Sequence, residues 1–166
     1  MSKRIVLLQA LTASVFNLEL LLQGMNRQAF GRRIGPDAWS MADGLSHLVA
    51  VEARYRHRLQ RVLVEERPFL PLILPDPTTH NRQASPIDLL AQFEAARTET
   101  VAFLRDVAED GWGRTAVHET QGEVTFQFLV QYLVDHDSEH LNQIAMIQQQ
   151  LNAAPDRNAQ PAISER

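Results

Sequence analysis

Residues 126–151 carry the pattern of one long amphipathic helix, and two histidines lie within its apolar stripe. At about 100° per residue, His140 is only about 40° around the helix from His136, so both imidazoles project from one face, one turn apart. The apolar residues that fall within about 80° of His136 on the same side are Phe126, Leu129, Leu133, Ile144, Ile147 and Leu151. Such a stripe must pack against other elements, which favours a helical domain with polar rings in its interior.

The helix alone leaves two interpretations of this histidine pair open. A histidine in a core usually forms a hydrogen bond with a neighbour, and a polar core of this kind requires no further function. Two imidazoles four residues apart also suit a divalent metal ion that takes two ligands from one helix. A third ligand from another part of the chain would favour the metal.

Composition restricts the class of protein. The 166 residues fit one domain with a core of ordinary size. Cysteine is absent, which excludes disulfides, thiolate metal ligands and a cysteine nucleophile. The formal net charge of −4 argues against nucleic acid as a partner. Polar residues from Gln9 to Glu19 interrupt the apolar start of the chain, so we expect no membrane span and a cytoplasmic protein.

Three further amphipathic patterns precede the histidine helix. The first covers residues 3–24 and ends near Gly24, a residue type common after the last turn of a helix. The second runs to about residue 66 and begins with a strong signal. Ser40 and Asp43 have the spacing of a capping box, in which each side chain satisfies a free backbone N–H group of the first turn.

The third pattern, over about residues 86–109, completes a set of four helices. Four helices of this length predict an all-α four-helix bundle over residues 1–153, and the proline-containing tail 154–166 is expected to be flexible. Residues 67–85 join the second and third helices and contain four prolines. We therefore expect a long irregular crossover that either covers another part of the protein or makes an oligomer contact. The segment 114–124 predicts a small turn or hairpin.

Helix periodicity gives the orientation of His47 and His57, and the proline-rich composition of the crossover gives the environment of His80. His47 lies at the edge of the buried stripe of the second helix and can face inward, whereas His57 falls on the polar side. His80, in the proline-rich crossover, is predicted to be a surface loop residue. His47 is thus the candidate third ligand, and three neutral imidazoles would leave coordination positions open, as in catalytic sites. The motif is not HExxH, because Asp137 stands in place of the glutamate base.

Charged residues of the second helix allow two interpretations each. The favoured interpretation of its arginines is a solvated face, and contact with a phosphate or an acidic substrate is the alternative. These residues are Arg54, Arg56, Arg58 and Arg61. Glu52 falls within the apolar sector, where a carboxylate paired with an interior cation is favoured over an auxiliary role at a metal.

Two motifs resemble those of the DinB-like superfamily, which includes the YfiT-type proteins. The resemblance rests on two segments, Pro36-x-x-Trp39-Ser40 followed two helical turns later by His47-Leu48, and the late helix His136-x-x-x-His140-x-x-Gln143-Ile144. It covers essentially residues 3–152.

The resemblance implies a four-helix bundle in up-down-down-up order, a homodimer in many members, and a divalent metal ion held by His47, His136 and His140. Zinc or nickel is the usual ion, with iron or manganese as alternatives. Some members are metal-dependent transferases or isomerases that use a low-molecular-weight thiol, such as bacillithiol, mycothiol or glutathione.

Two hypotheses about function follow. In the first, the protein is a metal-dependent hydrolase or small-thiol-dependent transferase, whose ion activates water or a thiol. In the second, it is a non-catalytic dimeric binding module whose histidines form a polar core.

Overall fold

The structure, a computed structural model, describes residues 2–153, and most of these residues are helical. Four helices are long: α1 (Lys3–Leu22), α3 (Met41–Val64), α4 (Pro86–Asp106) and α5 (Phe126–Ala153). The short α2 (Arg27–Gly31) lies between α1 and α3. The four predicted helices are therefore present, and the tail predicted to be flexible lies outside the described residues.

Local signals set the helix ends as the sequence predicts. The Ser40 side chain accepts a hydrogen bond from the backbone N–H of Asp43 at 3.1 Å, and the Asp43 carboxylate accepts one from the backbone N–H of Ser40 at 2.9 Å. Gly24 follows α1 with a φ of +73°, a conformation that favours glycine. At the start of α5, the hydroxyl of Thr125 accepts a hydrogen bond from the backbone N–H of Phe128 at 3.1 Å.

Two apolar clusters at opposite ends of the bundle give the helix directions. One joins the first halves of α3 and α4 to the second halves of α1 and α5 and includes Leu18, Leu22, Leu45, Leu48, Leu89, Phe93, Ile144 and Ile147. The other joins the opposite halves and includes Leu7, Leu11, Leu59, Val62, Leu104, Val107, Leu129 and Leu133. Consequently α3 and α4 run parallel to each other and antiparallel to α1 and α5, which is the up-down-down-up order.

The parallel direction of α3 and α4 explains the length of the crossover between them, because the chain must return along the bundle before α4 begins. A short strand in this crossover, β1 (Phe69–Leu70), pairs in parallel with β2 (Thr115–His118). The strand β2 forms the predicted hairpin with β3 (Gly122–Thr125). The pairing of β1 was not anticipated, and it fastens the crossover to the loop that precedes α5.

The connector between α1 and α3 contains one short helix. This helix, α2, begins directly after Asn26. The side chain of Asn26 accepts a hydrogen bond from the backbone N–H of Ala29 at 2.8 Å. Asn26 is therefore the N-cap that begins α2.

The first long helix is apolar on two sides. Leu7, Leu11, Leu18 and Leu22 are buried, whereas Ile5, Val6, Phe16 and Leu20 are 46–57% exposed. By length and composition alone, α1 is also the one helix among residues 2–153 that could cross a membrane. The polar residues within α1 had led us to expect no such helix. In the fold, its inner side packs against α4 and α5.

Candidate metal centre

Three histidines meet where α3 and α5 pack against each other. His47 belongs to α3, and His136 and His140 lie one turn apart on α5. Nε2 of His47 lies 3.2 Å from Nε2 of His136. One ring nitrogen from each of the three histidines can be chosen so that all lie within 4.8 Å of one another. The antiparallel packing of the two helices thus brings together the three histidines named as candidate ligands.

Burial keeps two of these imidazoles neutral. His47 is 3% exposed, and its burial, together with the nearby His140, His80 and Arg54, lowers its pKa to about 4. Burial and the two neighbouring histidines lower the pKa of His136 to about 3. At neutral pH both rings therefore hold a free nitrogen lone pair, which is the form that binds a metal ion.

Hydrogen bonds orient only part of the cluster. Nδ1 of His140 lies 3.0 Å from the side-chain oxygen of Gln143. Because an amide oxygen can only accept, Nδ1 of His140 carries the proton and its Nε2 is free to bind. Nδ1 of His136 is buried and has no hydrogen-bond partner within residues 2–153.

Aromatic side chains form the walls around the histidines. The indole of Trp39 stacks on His140 with ring centroids 5.7 Å apart and planes at 8°, and it lies 5.2 Å from the ring of His47. Tyr55, buried on α3, lies 5.9 Å from the ring of His136. Burial raises the pKa of Tyr55 well above its ordinary value. Trp39 thus contacts two of the three histidines, which its position beside Ser40 in the sequence did not indicate.

A buried ion network lies directly beside His136. The guanidinium of Arg97 donates two hydrogen bonds of 2.8 Å to the Glu52 carboxylate and a further one of 3.0 Å to Asp137. All three side chains are at most 3% exposed. The interpretation of Glu52 as an interior paired carboxylate is therefore confirmed.

Arg97 connects all four long helices. Besides Glu52 on α3 and Asp137 on α5, it donates to the hydroxyl of Ser14 on α1 at 2.9 Å from its own position on α4. Burial disfavours the charged guanidinium, but the two carboxylates outweigh burial and raise the pKa of Arg97. Arg97 was not among the candidate functional residues predicted from the sequence. The sequence did contain an indication of its burial, because Arg97 lies between Phe93 and Val101 within the apolar stripe of α4.

The arginines of α3 pair with other parts of the protein instead of forming a fully solvated face. Arg54, Arg58 and Arg61 donate to carbonyl groups of the crossover, and Arg56 pairs with Glu99 of α4. Arg58 is 6% exposed, donates to the carbonyl of Pro71 and lies over the ring of Tyr55 at 5.4 Å. Arg54 donates to the carbonyl of Leu74 at 3.2 Å. The prediction of a solvated face was therefore wrong for Arg58, because the returning crossover covers this side of α3.

The prediction for His80 was also wrong, since its side chain is only 4% exposed. Its Nδ1 lies 3.1 Å from the buried carboxylate of Asp43. Its ring meets the indole of Trp39 edge-on, at a centroid distance of 4.8 Å and an angle of 78°. The crossover returns to the first turns of α3, where the backbone N–H of Asn81 donates to the hydroxyl of Ser46 at 3.1 Å.

The prediction for His57 held, because its side chain is exposed on the outer side of α3. Periodicity within α3 placed this residue correctly. An irregular crossover has no such periodicity, so nothing local indicated which way His80 faces.

Comparison with known proteins identifies the family. The model of the DinB superfamily matches residues 10–144. Among solved structures, the chain is similar to YfiT from Bacillus subtilis, described as a probable metal-dependent hydrolase with an unusual four-helix bundle topology. The TM-score is 0.76 at 20% sequence identity, over 93% of this chain and 91% of that one. No curated protein sequence matches. The chain belongs to the DinB superfamily.

Proposed function

We propose that this protein is a metal-dependent enzyme of the hydrolase type, with His47, His136 and His140 as ligands of a divalent ion. The observation that carries the proposal is the convergence of three imidazole nitrogens within 4.8 Å, with His47 buried and His136 and His140 half-buried. Three protein ligands leave a position for a reacting molecule, which distinguishes catalytic from structural sites. The description of YfiT as a probable metal-dependent hydrolase with the same fold supports it.

The chain's own residues prepare this site for a cation. His47 and His136 stay neutral at physiological pH, and Gln143 fixes the ring of His140. Trp39 and Tyr55 place aromatic rings beside His140 and His136. An ion bound there would act as a Lewis acid and lower the pKa of a water molecule or thiol in its open position.

The donor set also indicates the ion. Imidazole nitrogen suits zinc and nickel, so we propose one of these two, with iron or manganese as the alternative. The same centre would serve a small thiol in place of water. Because the chain has no cysteine, such a thiol would be a separate cofactor.

The rival hypothesis is a polar core without a metal. It requires the ring nitrogens to satisfy one another or their neighbours by hydrogen bonds. The Nε2 atoms of His47 and His136, 3.2 Å apart, can form one such bond, whereas the buried Nδ1 of His136 has no partner within residues 2–153.

Elemental analysis of protein purified without chelator tests the proposal. We expect about one divalent ion per chain, as for a site with three protein ligands. His136→Ala should lose the ion, and the control His57→Ala, on the exposed side of α3, should keep it. Wild-type protein that is repeatedly free of metal would contradict the proposal.

The reaction is tested separately. Hydrolysis of p-nitrophenyl acetate and transfer of glutathione to chlorodinitrobenzene distinguish activation of water from activation of a thiol. We expect ester hydrolysis that stops on chelation and returns with zinc or nickel. Turnover that is unchanged by chelation and by His136→Ala would show that the three histidines do not carry the reaction.

A further inference from the structure

A cavity between α3 and the crossover, which we call the arginine groove, contains three arginines and an apolar wall. Its volume is about 390 Å³, within the range of small-molecule sites. Successive turns of α3 supply the arginines, and the row rises about 10 Å at 1.5 Å per residue. The residues that line the groove include Arg54, Arg58 and Arg61 from α3 and Leu70, Leu72 and Ile73 from the crossover.

Each of the three arginines donates one hydrogen bond to a carbonyl group of the crossover. The pairs are Arg54 with Leu74 at 3.2 Å, Arg58 with Pro71, and Arg61 with Phe69 at 3.3 Å. A guanidinium has five N–H donors, so these contacts use a small part of the donors in the groove. Of the three, only Arg61 also forms an ion pair within residues 2–153, with Glu65 at 2.6 Å.

Arg58 is a buried cation without a counter-charge among residues 2–153. It is 6% exposed and forms no ion pair with a described carboxylate. Arg97, the other buried arginine, is balanced by two carboxylates. Burial lowers the pKa of Arg58, and the two neighbouring arginines lower it further, yet a guanidinium stays protonated in proteins. Because buried charges normally have a partner of opposite sign, the groove lacks an anion.

The other neighbours of Arg58 supply neither charge nor acceptor. The ring of Tyr55 lies 5.4 Å from its guanidinium carbon, and burial raises the pKa of Tyr55, so the phenol is neutral. Nε2 of His118 lies 3.5 Å from Nη1 of Arg58. Burial and Arg58 lower the pKa of His118, and its Nδ1 accepts a hydrogen bond from the backbone N–H of Thr120 at 3.3 Å. The proton of this neutral ring therefore lies on Nε2, which faces Arg58 as a second donor.

We propose that the arginine groove binds an organic anion, a carboxylate or phosphate joined to an apolar body. Arg58 binds the anionic group through the N–H groups that the crossover leaves free, and Arg54 adds a second charge at the exposed rim. A guanidinium suits both groups because its planar fork matches two of their oxygens. The apolar body covers Leu72, which is 38% exposed, and Ile73. None of the three clustered histidines lines this groove, so the site is independent of the proposed function.

Titration calorimetry of the full chain with four probes tests the ligand class. Octanoate and octyl phosphate carry both parts of the ligand, octanol lacks the charge, and inorganic phosphate lacks the apolar body. We expect saturable binding of the first two and at least about tenfold weaker binding of the last two. Equal affinity for octanol would overturn the role of the arginines, and equal affinity for inorganic phosphate would overturn the apolar contact. Failure of both octyl anions to bind would overturn the site.

Substitutions locate the bound anion. Arg58→Met should weaken octanoate binding about tenfold or more, because it removes hydrogen bonds to a charged group. Arg56→Met is the matched control, since Arg56 lies on the same helix but pairs with Glu99 of α4, and it should keep the affinity of the wild type. If Arg58→Met does not fold, Arg54→Gln and Leu72→Asn, both at exposed positions, should each weaken binding by about threefold or more. Unchanged affinity in these variants would overturn the site.

A spectroscopic readout separates binding from a purely structural role. In nitrogen-15-labelled protein, the Nε–H signal that disappears in Arg58→Met should shift when octanoate is added, and the signal of Arg56 should not. His136→Ala, which removes a candidate metal ligand, should bind octanoate as the wild type does. Loss of binding in His136→Ala would place the anion at the metal centre and overturn the groove site. If Arg58→Met lowers Tm, keeps its affinity for octanoate and the Arg58 signal does not shift, Arg58 only holds the crossover.

Discussion

Nε2 of His47 lies 3.2 Å from Nε2 of His136, although the two residues are 89 positions apart in the chain. Burial holds the pKa of both rings far below neutrality, so both are neutral in the cell. Two neutral imidazoles can share one proton in a hydrogen bond, whereas a cation can use the lone pairs of both. The presence of His140 within the same 4.8 Å group favours the cation.

Metal should therefore stabilise the fold. A ligand that binds only the folded state at a hundredfold excess over its Kd adds about 2.7 kcal/mol to the free energy of unfolding. We expect chelation to lower Tm and zinc to restore it, as measured by thermal unfolding. His47→Asn should abolish the response to zinc, whereas His57→Asn should preserve it. The same Tm with and without chelator in the wild type would support the polar-core hypothesis.

Without metal, the protein should lose stability as pH falls from about 6.5 to about 4. An unfolded histidine has a pKa near 6.5, but folded His47 has a pKa of about 4. Between these values the unfolded state binds more protons than the folded state, so the free energy of unfolding decreases with decreasing pH. At about 1.4 kcal/mol per unit, His47 alone would contribute a loss of about 3 kcal/mol by pH 4.

Urea denaturation of chelated protein across this range measures the effect. Asp43, whose ordinary pKa of 3.8 is lowered in the fold, contributes mainly below the window. Burial raises the pKa of Asp137, so this carboxylate partly offsets the loss from the histidines. His136, with a pKa of about 3, contributes a similar loss, so His47→Gln should reduce the slope by about half and His57→Gln should leave the slope unchanged. Equal slopes in the wild type and His47→Gln between pH 6.5 and 4.5 would show that His47 is not buried as described.

The features that the sequence predicted correctly are local in the chain. The capping box at Ser40 and Asp43 involves neighbouring residues, and the inward face of His136 and His140 follows from the period of one helix. The periodicity of α3 similarly placed His47 inward and His57 outward. For these residues, the helix itself contains the information.

The features that were missed depend on contacts distant in the chain. Nothing in the crossover indicates that His80 returns to Asp43, or that β1 pairs with β2. The directions of the helices likewise came only from the family resemblance, because periodicity does not say whether two helices are parallel. Arg97 is different, since a charged residue within an apolar stripe is a local signal of a buried ion pair.

The Arg97 network should be essential for stability. Removing one partner from a buried ion network leaves an uncompensated charge and costs about 3–5 kcal/mol. We expect Arg97→Met to lower the free energy of unfolding by this amount in urea denaturation, and Glu52→Gln to lower it less. The control Arg32→Met, at an exposed position after α2, should change it by less than about 0.5 kcal/mol.

A rescue experiment separates lost charge pairing from lost packing volume. Combining Arg97→Met with Glu52→Leu and Asp137→Leu removes every charge of the network and retains apolar volume. This triple variant should recover much of the stability that Arg97→Met loses. If the triple variant is less stable than the single one, the network contributes through packing and not through charge balance.

The outer side of α1 should be covered by a second copy of the chain. Phe16 and Leu20 on α1 are 57% and 54% exposed, and Ile87 at the start of α4 is 77% exposed. The three residues line one groove between α1 and α4. A helix that is apolar on both sides normally has both sides covered, and the bundle covers only one side of α1.

The charges of the neighbouring groove favour a two-fold pair. This second groove between α1 and α4 shares Phe16 and Glu19 with the first. Its residues Glu94 and Arg105 lie on the same exposed side of α4, three turns apart, or about 16 Å at 1.5 Å per residue. In a symmetric antiparallel arrangement, the acidic end of one groove meets the basic end of the other. The same charges oppose insertion of this face into a membrane, where an unpaired carboxylate is costly.

Light scattering at micromolar concentration should therefore give twice the mass of the chain. Phe16→Glu places a charge in the centre of the apolar contact and should give the mass of one chain with an unchanged helical spectrum. Val64→Glu is the matched control, because Val64 is 81% exposed at the end of α3 and outside this groove. A monomeric wild type, or dissociation by both variants alike, would show that the α1 face is not the contact. Wild-type protein that instead sediments with lipid vesicles, in a manner that Phe16→Glu abolishes, would assign the face to a membrane surface.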